Sequence, residues 1–130
     1  MSRIIAALFL LIASAVTSSA QGLLPSVWRS ERGALLKILS VDPAGNFTGV
    51  FISGPTGSCP GVPYQLAGSI RGPRVVFQTS RNWTRDCNVT TVWSGRFVNP
   101  TTVATRAVAT YVAPNGRVVK VRGAEIFQRI

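Results

Sequence analysis

Thr90-Thr91-Val92-Trp93-Ser94-Gly95-Arg96-Phe97-Val98 alternates in character along its length. On a strand, Thr91, Trp93, Gly95 and Phe97 point one way, and Thr90, Val92, Ser94 and Arg96 the other. β-branched and aromatic residues suit such a pleated, half-buried surface. The set that carries Trp93 places a hydroxyl (Thr91) two residues from an indole, with a glycine next in line. A small flat ligand would stack on that indole and hydrogen-bond to that hydroxyl. Trp93 as ordinary core fits the same pattern, and the stretch alone leaves both readings open.

Working outward, short β-rich runs alternate with turn signals from Ser26 onward, and no helical period is sustained. Eight strands are predicted: Val27–Ser30, Ala34–Val41, Asn46–Ser53, Tyr64–Arg71, Arg74–Ser80, Thr90–Val98, Thr102–Val112 and Arg117–Gln128. Between them, Glu31-Arg32-Gly33, Asp42-Pro43-Ala44-Gly45, Gly72-Pro73 and Pro114-Asn115-Gly116 carry turn chemistry. Two longer loops, Gly54–Pro63 and Arg81–Val89, each hold one cysteine. Short links and no crossover helix predict an antiparallel up-and-down meander. Closing it into an eight-stranded barrel removes the exposed edges and leaves room for side chains or one small ligand. A β-sandwich of similar strand count is the structural rival.

The chain has 130 residues, enough for one domain. Arg3, the apolar run Ile4 to Val16 and the small residues Ser18-Ser19-Ala20 predict a secretory signal peptide over 1–20, cleaved before Gln21. That run is short for a membrane span, and no second one follows. Residues 21–25 read as a lead-in, and 26–130 as the barrel. Cys59 and Cys87 both follow the leader, so an exported or periplasmic setting makes a disulfide the default.

Fourteen basic and four acidic residues give a formal charge of +10. Such a surplus favours anionic partners, but the basic residues are scattered singly, which describes a solvated face. Salt-sensitive adhesion to anionic surfaces is expected and specific nucleic-acid recognition is not. The chain has no histidine. Two distant cysteines do not make a zinc site, so neither a metal nor a cofactor is expected. Without paired carboxylates, a Gly-x-Ser-x-Gly elbow or a phosphate loop, no enzyme chemistry is expected either. Three Asn-x-Thr sequons (Asn46, Asn82, Asn88) are acceptors only in a host that glycosylates.

Thr90 to Val98 resembles the sixth strand of the avidin and streptavidin family, whose Thr-x-Trp pair lies in the biotin pocket. The run from Gly123 to Ile130 resembles that family's last strand. Trp28 to Leu39 matches strands one and two, and Gly45-Asn46-Phe47-Thr48-Gly49-Val50-Phe51 matches strand three. The likeness covers residues 26 to 130. Gly57-Ser58-Cys59, the run Pro63-Tyr64-Gln65-Leu66-Ala67-Gly68, and the spacing from Cys87-Asn88 to Trp93 are similar to the bacterial dimeric avidins. In that subgroup the bridge holds two loops at the open end of the barrel, which lowers the entropy cost of binding.

The resemblance implies a biotin site, with biotin as ligand rather than cofactor, and a homodimer or homotetramer. Its residues are Ser30, Phe51, Ser53, Trp83, Thr91, Trp93 and Glu125. In the family an Asn, a Ser and a Tyr meet the ureido carbonyl, and the matching positions here are Ser30, Ala34 and Phe51. Ala34 and Phe51 cannot donate, and a buried carbonyl loses ~1–3 kcal/mol per missing partner. Ser53 and Glu125 match the acceptors for the ureido N–H groups, with Glu in place of Asp or Asn. A buried carboxylate needs a partner, so an ion pair with Arg106 or another arginine is the alternative role for Glu125. Trp93 and Trp83 match two aromatic walls. Ala107 stands where a third Trp is usual, the Trp that a neighbouring subunit contributes falls near Arg117, and Val89 stands where a Ser is usual. The expectation is an avidin-like barrel that binds biotin weakly or prefers another small cyclic ligand. The other reading is a barrel filled by its own side chains, with a basic surface for polyanions.

Overall fold

A computed structural model of the chain describes residues 25–57, 59–79 and 87–130. The expected leader and Trp83 lie outside the described residues. Eight strands follow one another: β1 (Ser26–Ser30), β2 (Leu35–Val41), β3 (Asn46–Ile52), β4 (Pro63–Arg71), β5 (Arg74–Thr79), β6 (Thr90–Asn99), β7 (Thr102–Val112) and β8 (Val118–Arg129). The strand ends differ from the sequence reading by single residues, and Ser53 falls just past β3. Each strand pairs antiparallel with the next, and β1 pairs with β8 through Trp28↔Arg129, Arg29↔Gln128 and Ser30↔Phe127. That last pairing closes the sheet into a barrel, and the two-layer sandwich is ruled out. Among the described residues no exposed sheet edge is left to recruit another chain.

Alternation along the strands decides what is inside. β5 buries Val75, Phe77 and Thr79 and exposes Arg74, Val76 and Gln78. β6 buries Trp93 between Phe77 of β5 and Ala107 of β7, its register partners. Gly95 serves close approach, because a Cβ there would run into the Ala104 carbonyl of β7.

One half of the interior is packed with rings. Phe77 stacks on Trp93 (centroids 5.0 Å apart, planes 18°) and meets Phe127 edge-on at 5.7 Å. Trp28 meets Phe97 edge-on at 6.1 Å, and its indole N–H donates to Ser26 Oγ at 2.9 Å. Offset and edge-on pairs of this kind add to the burial that holds the barrel together. Among Trp28, Phe47, Phe77, Phe97 and Phe127 only about 20 Å³ of apolar void is left, which holds about one water at most. This half is shut.

The other half lies at the end where the β1–β2, β3–β4 and β7–β8 connections gather. Cys59 of the β3–β4 connection and Cys87, just before β6, form a disulfide with Cα atoms 5.8 Å apart. The bridge therefore ties the β3–β4 connection to the short lead into β6 at that end.

Candidate functional site

At the disulfide end the barrel holds a cavity of about 290 Å³, the size of a small-molecule site. Trp93 lines it, while Phe77, stacked beneath, lines the shut half. The aromatic layer is thus the cavity's inner limit. Phe51 tilts against Trp93 at 4.7 Å and lines the same space. Ala34, Ala107 and Gly123 leave one wall thin, and Ala107 pairs in register with both Trp93 and Gly123. Where the family resemblance places a third indole, the chain has a methyl group facing a glycine.

Glu125 is the acid among the described lining residues and is 6 % exposed. Its Oε1 accepts a 2.9 Å hydrogen bond from the Trp93 indole nitrogen. Of the arginines considered as an ion-pair partner, Arg106 lies exposed on the outer face of β7. Only Oε1 is used in that bond, so Oε2 remains available to accept from a ligand. The backbone around Glu125 is fixed from three sides. Thr105 Oγ1 donates to the Glu125 carbonyl at 2.7 Å. Arg32 donates to the Ala124 carbonyl at 2.8 Å, and Glu31 Oε2 accepts from the Ile126 N–H at 2.7 Å. The β1–β2 turn thereby grips β8 on either side of the carboxylate. It also lays the Arg32 guanidinium over Gly123, where a Cβ would come within 3.1 Å of it.

Of the residues inferred from sequence, Phe51, Thr91, Trp93 and Glu125 line the cavity together. Ser30 and Ser53 do not belong to the lining. The Ser30 hydroxyl accepts the N–H groups of Arg32 and Ala34, both at 3.2 Å, and so shapes the β1–β2 turn instead. Ser53 sits half-buried beneath Gly57. Trp83 lies outside the described residues.

Several lining residues were not singled out. Arg32, Tyr111, Val121 and Arg122 surround the opening and give it a basic rim. Thr79 and Tyr64 face inward deeper down. Thr79 Oγ1 accepts the Thr91 N–H at 3.0 Å, which joins the start of β6 to the end of β5. The Tyr64 hydroxyl is buried and no protein group among the described residues pairs with it. Burial pushes its phenol above the ordinary value of 10.0, so it stays protonated. Inward parity with Leu66 on β4 was the available signal for Tyr64. Nothing local marked Arg32, whose place depends on a turn meeting a strand far along the chain.

A closed antiparallel barrel with an open-ended cavity, rings at its inner limit and a carboxylate on its wall has room for one small ligand. The chain matches the model of the Avidin family over residues 18–116. It belongs to the avidin family. Among solved structures it is similar to the bradavidin2–biotin complex, at 30% identity and a TM-score of 0.72, over 82% of this chain and 97% of that one. The rhizavidin–biotin complex is 28% identical with a TM-score of 0.71, over 82% of this chain and 91% of that one. Apo shwanavidin is 25% identical with a TM-score of 0.70, over 82% of this chain and 98% of that one. No curated protein matches the chain.

Proposed function

We propose that this chain is an exported, non-catalytic protein that binds biotin, or a related small cyclic ligand, in the open end of its barrel. The observation that carries this reading is the Trp93–Glu125 pair inside a cavity of about 290 Å³. A ring stacks against the aromatic side chains while its N–H reaches the carboxylate. The biotin complexes of bradavidin2 and rhizavidin supply the ligand class. An open cavity supports this reading over a barrel filled by its own side chains. Affinity is lower than a full donor set would give, because Ala34 and Phe51 cannot hydrogen-bond to a carbonyl, at ~1–3 kcal/mol per missing partner.

The disulfide fits export into an oxidising compartment. The β7–β8 hairpin leaves Val112, Val118 and Val121 exposed, Val121 by 53 % even though its register faces the mouth. A second copy of the chain would cover them, which supports a homodimer or higher oligomer. Calorimetry with biotin tests the ligand, with saturable heat and a raised melting temperature expected. No heat and no shift at millimolar biotin would remove it. Native mass spectrometry of the same sample reads oligomeric state and bound ligand together.

A further inference from the structure

Phe51 and Tyr64 are register partners across β3 and β4, so their side chains lie next to each other on the inner face. Both line the cavity. Phe51 occupies the place at which a donor to the ligand carbonyl is expected, and it has no donor to give. Tyr64 is 4 % exposed, and its hydroxyl is the one buried side-chain polar atom among the described residues without a partner. Folded proteins rarely leave such a group unpaired, because burial strips it of water and returns nothing. A phenol in the wall of a ligand cavity recovers that loss when an occupant brings an acceptor within its reach.

We propose that the Tyr64 hydroxyl is the hydrogen-bond donor to the ring carbonyl of the ligand, taking over from the neighbouring strand the role that Phe51 cannot fill. With Glu125 accepting a ring N–H, the recognised edge is a carbonyl flanked by N–H, as in a cyclic urea, a lactam or an imide. This rests on the pocket reading above and names the residue that compensates for its weakest point. Because the phenol stays neutral through the physiological range, the bond does not depend on pH there.

The experiment is calorimetry with biotin on the full protein and on Tyr64→Phe, Phe51→Tyr and the double variant. Tyr64→Phe keeps the ring and removes only the unpaired hydroxyl, so the ligand-free variant should melt no lower than the parent. Its affinity should fall about tenfold, the scale of one hydrogen bond. The double variant should recover part of that loss by donating from β3. If Tyr64→Phe binds biotin as tightly as the parent, Tyr64 is not the donor and the pocket reading stands. If Tyr64→Phe melts several degrees lower, the hydroxyl is structural and the proposal is overturned. If the parent itself shows no biotin binding, the pocket reading falls and takes this assignment with it.

Discussion

The indole nitrogen of Trp93 and the carboxylate of Glu125 are joined by a 2.9 Å hydrogen bond across the barrel interior, between residues 32 apart in sequence. The bond gives a buried N–H its acceptor and a buried acid its donor in one contact. Glu125→Ala removes the acceptor and strands the indole N–H, so stability should fall by about 1–3 kcal/mol. Glu125→Gln keeps an oxygen in reach and should melt close to the parent while binding biotin more weakly. Urea titrations of both variants, paired with calorimetry, check this; equal stability of parent and Glu125→Ala would mean that the indole finds another acceptor.

The bridge between Cys59 and Cys87 spans a sequence separation of 28. Removing it with Cys59→Ser/Cys87→Ser should cost about 3–4 kcal/mol through restored freedom of the unfolded chain. Because both cysteines sit at the mouth, biotin affinity should drop as well, beyond what lost stability explains. Denaturant midpoints measured alongside calorimetry at a temperature where both forms are folded separate the two effects. Unchanged affinity would confine the bridge to stability.

Gly95→Ala places a methyl group against the Ala104 carbonyl, and β6 must move off β7 to admit it. A loss of about 1–3 kcal/mol or more is expected, with Trp93 shifted and its fluorescence altered. Gly116→Ala is the contrast: its Cβ meets open space, and only the left-handed backbone at φ +81° resists. That variant should lose about 1 kcal/mol or somewhat more without touching the Trp93 signal. Thermal melts and emission spectra decide both.

Asp42 caps its turn by accepting the backbone N–H of Asn46 at 2.9 Å. That bond is the main reason its carboxyl lies below the ordinary 3.8, with smaller help from the Asn46 side chain and against some desolvation. A lowered folded value means that the stabilisation is present above the unfolded value and fades as pH falls through the folded one. Stability of the parent should therefore decline more steeply below about pH 3.8 than that of Asp42→Asn. Urea midpoints measured from pH 5 downward read the difference, and parallel curves would contradict it.

The strands were legible because alternation is local: Trp93 and Phe77 are inside for the same period-two reason that Ser94 and Val76 are outside. Closure was not, since Trp28↔Arg129 joins the two ends of the chain and a sandwich offers the same alternation. Family likeness decided between them. In the site, family likeness supported by parity named Thr91, Trp93 and Glu125, which line one cavity. Parity holds for Ser30, which is buried, yet its hydroxyl accepts two N–H groups of its own turn and lies outside the cavity lining. Parity had no access to Arg32, which is placed by an acceptor 92 residues away.

The ring-packed half of the barrel makes the cavity a cul-de-sac. Whatever occupies it enters head first and backs out by the same door, past the sulfur bridge and the arginines. A cargo or solid support attached to the occupant must therefore trail outward through that doorway, and derivatives modified on the leading end are shut out.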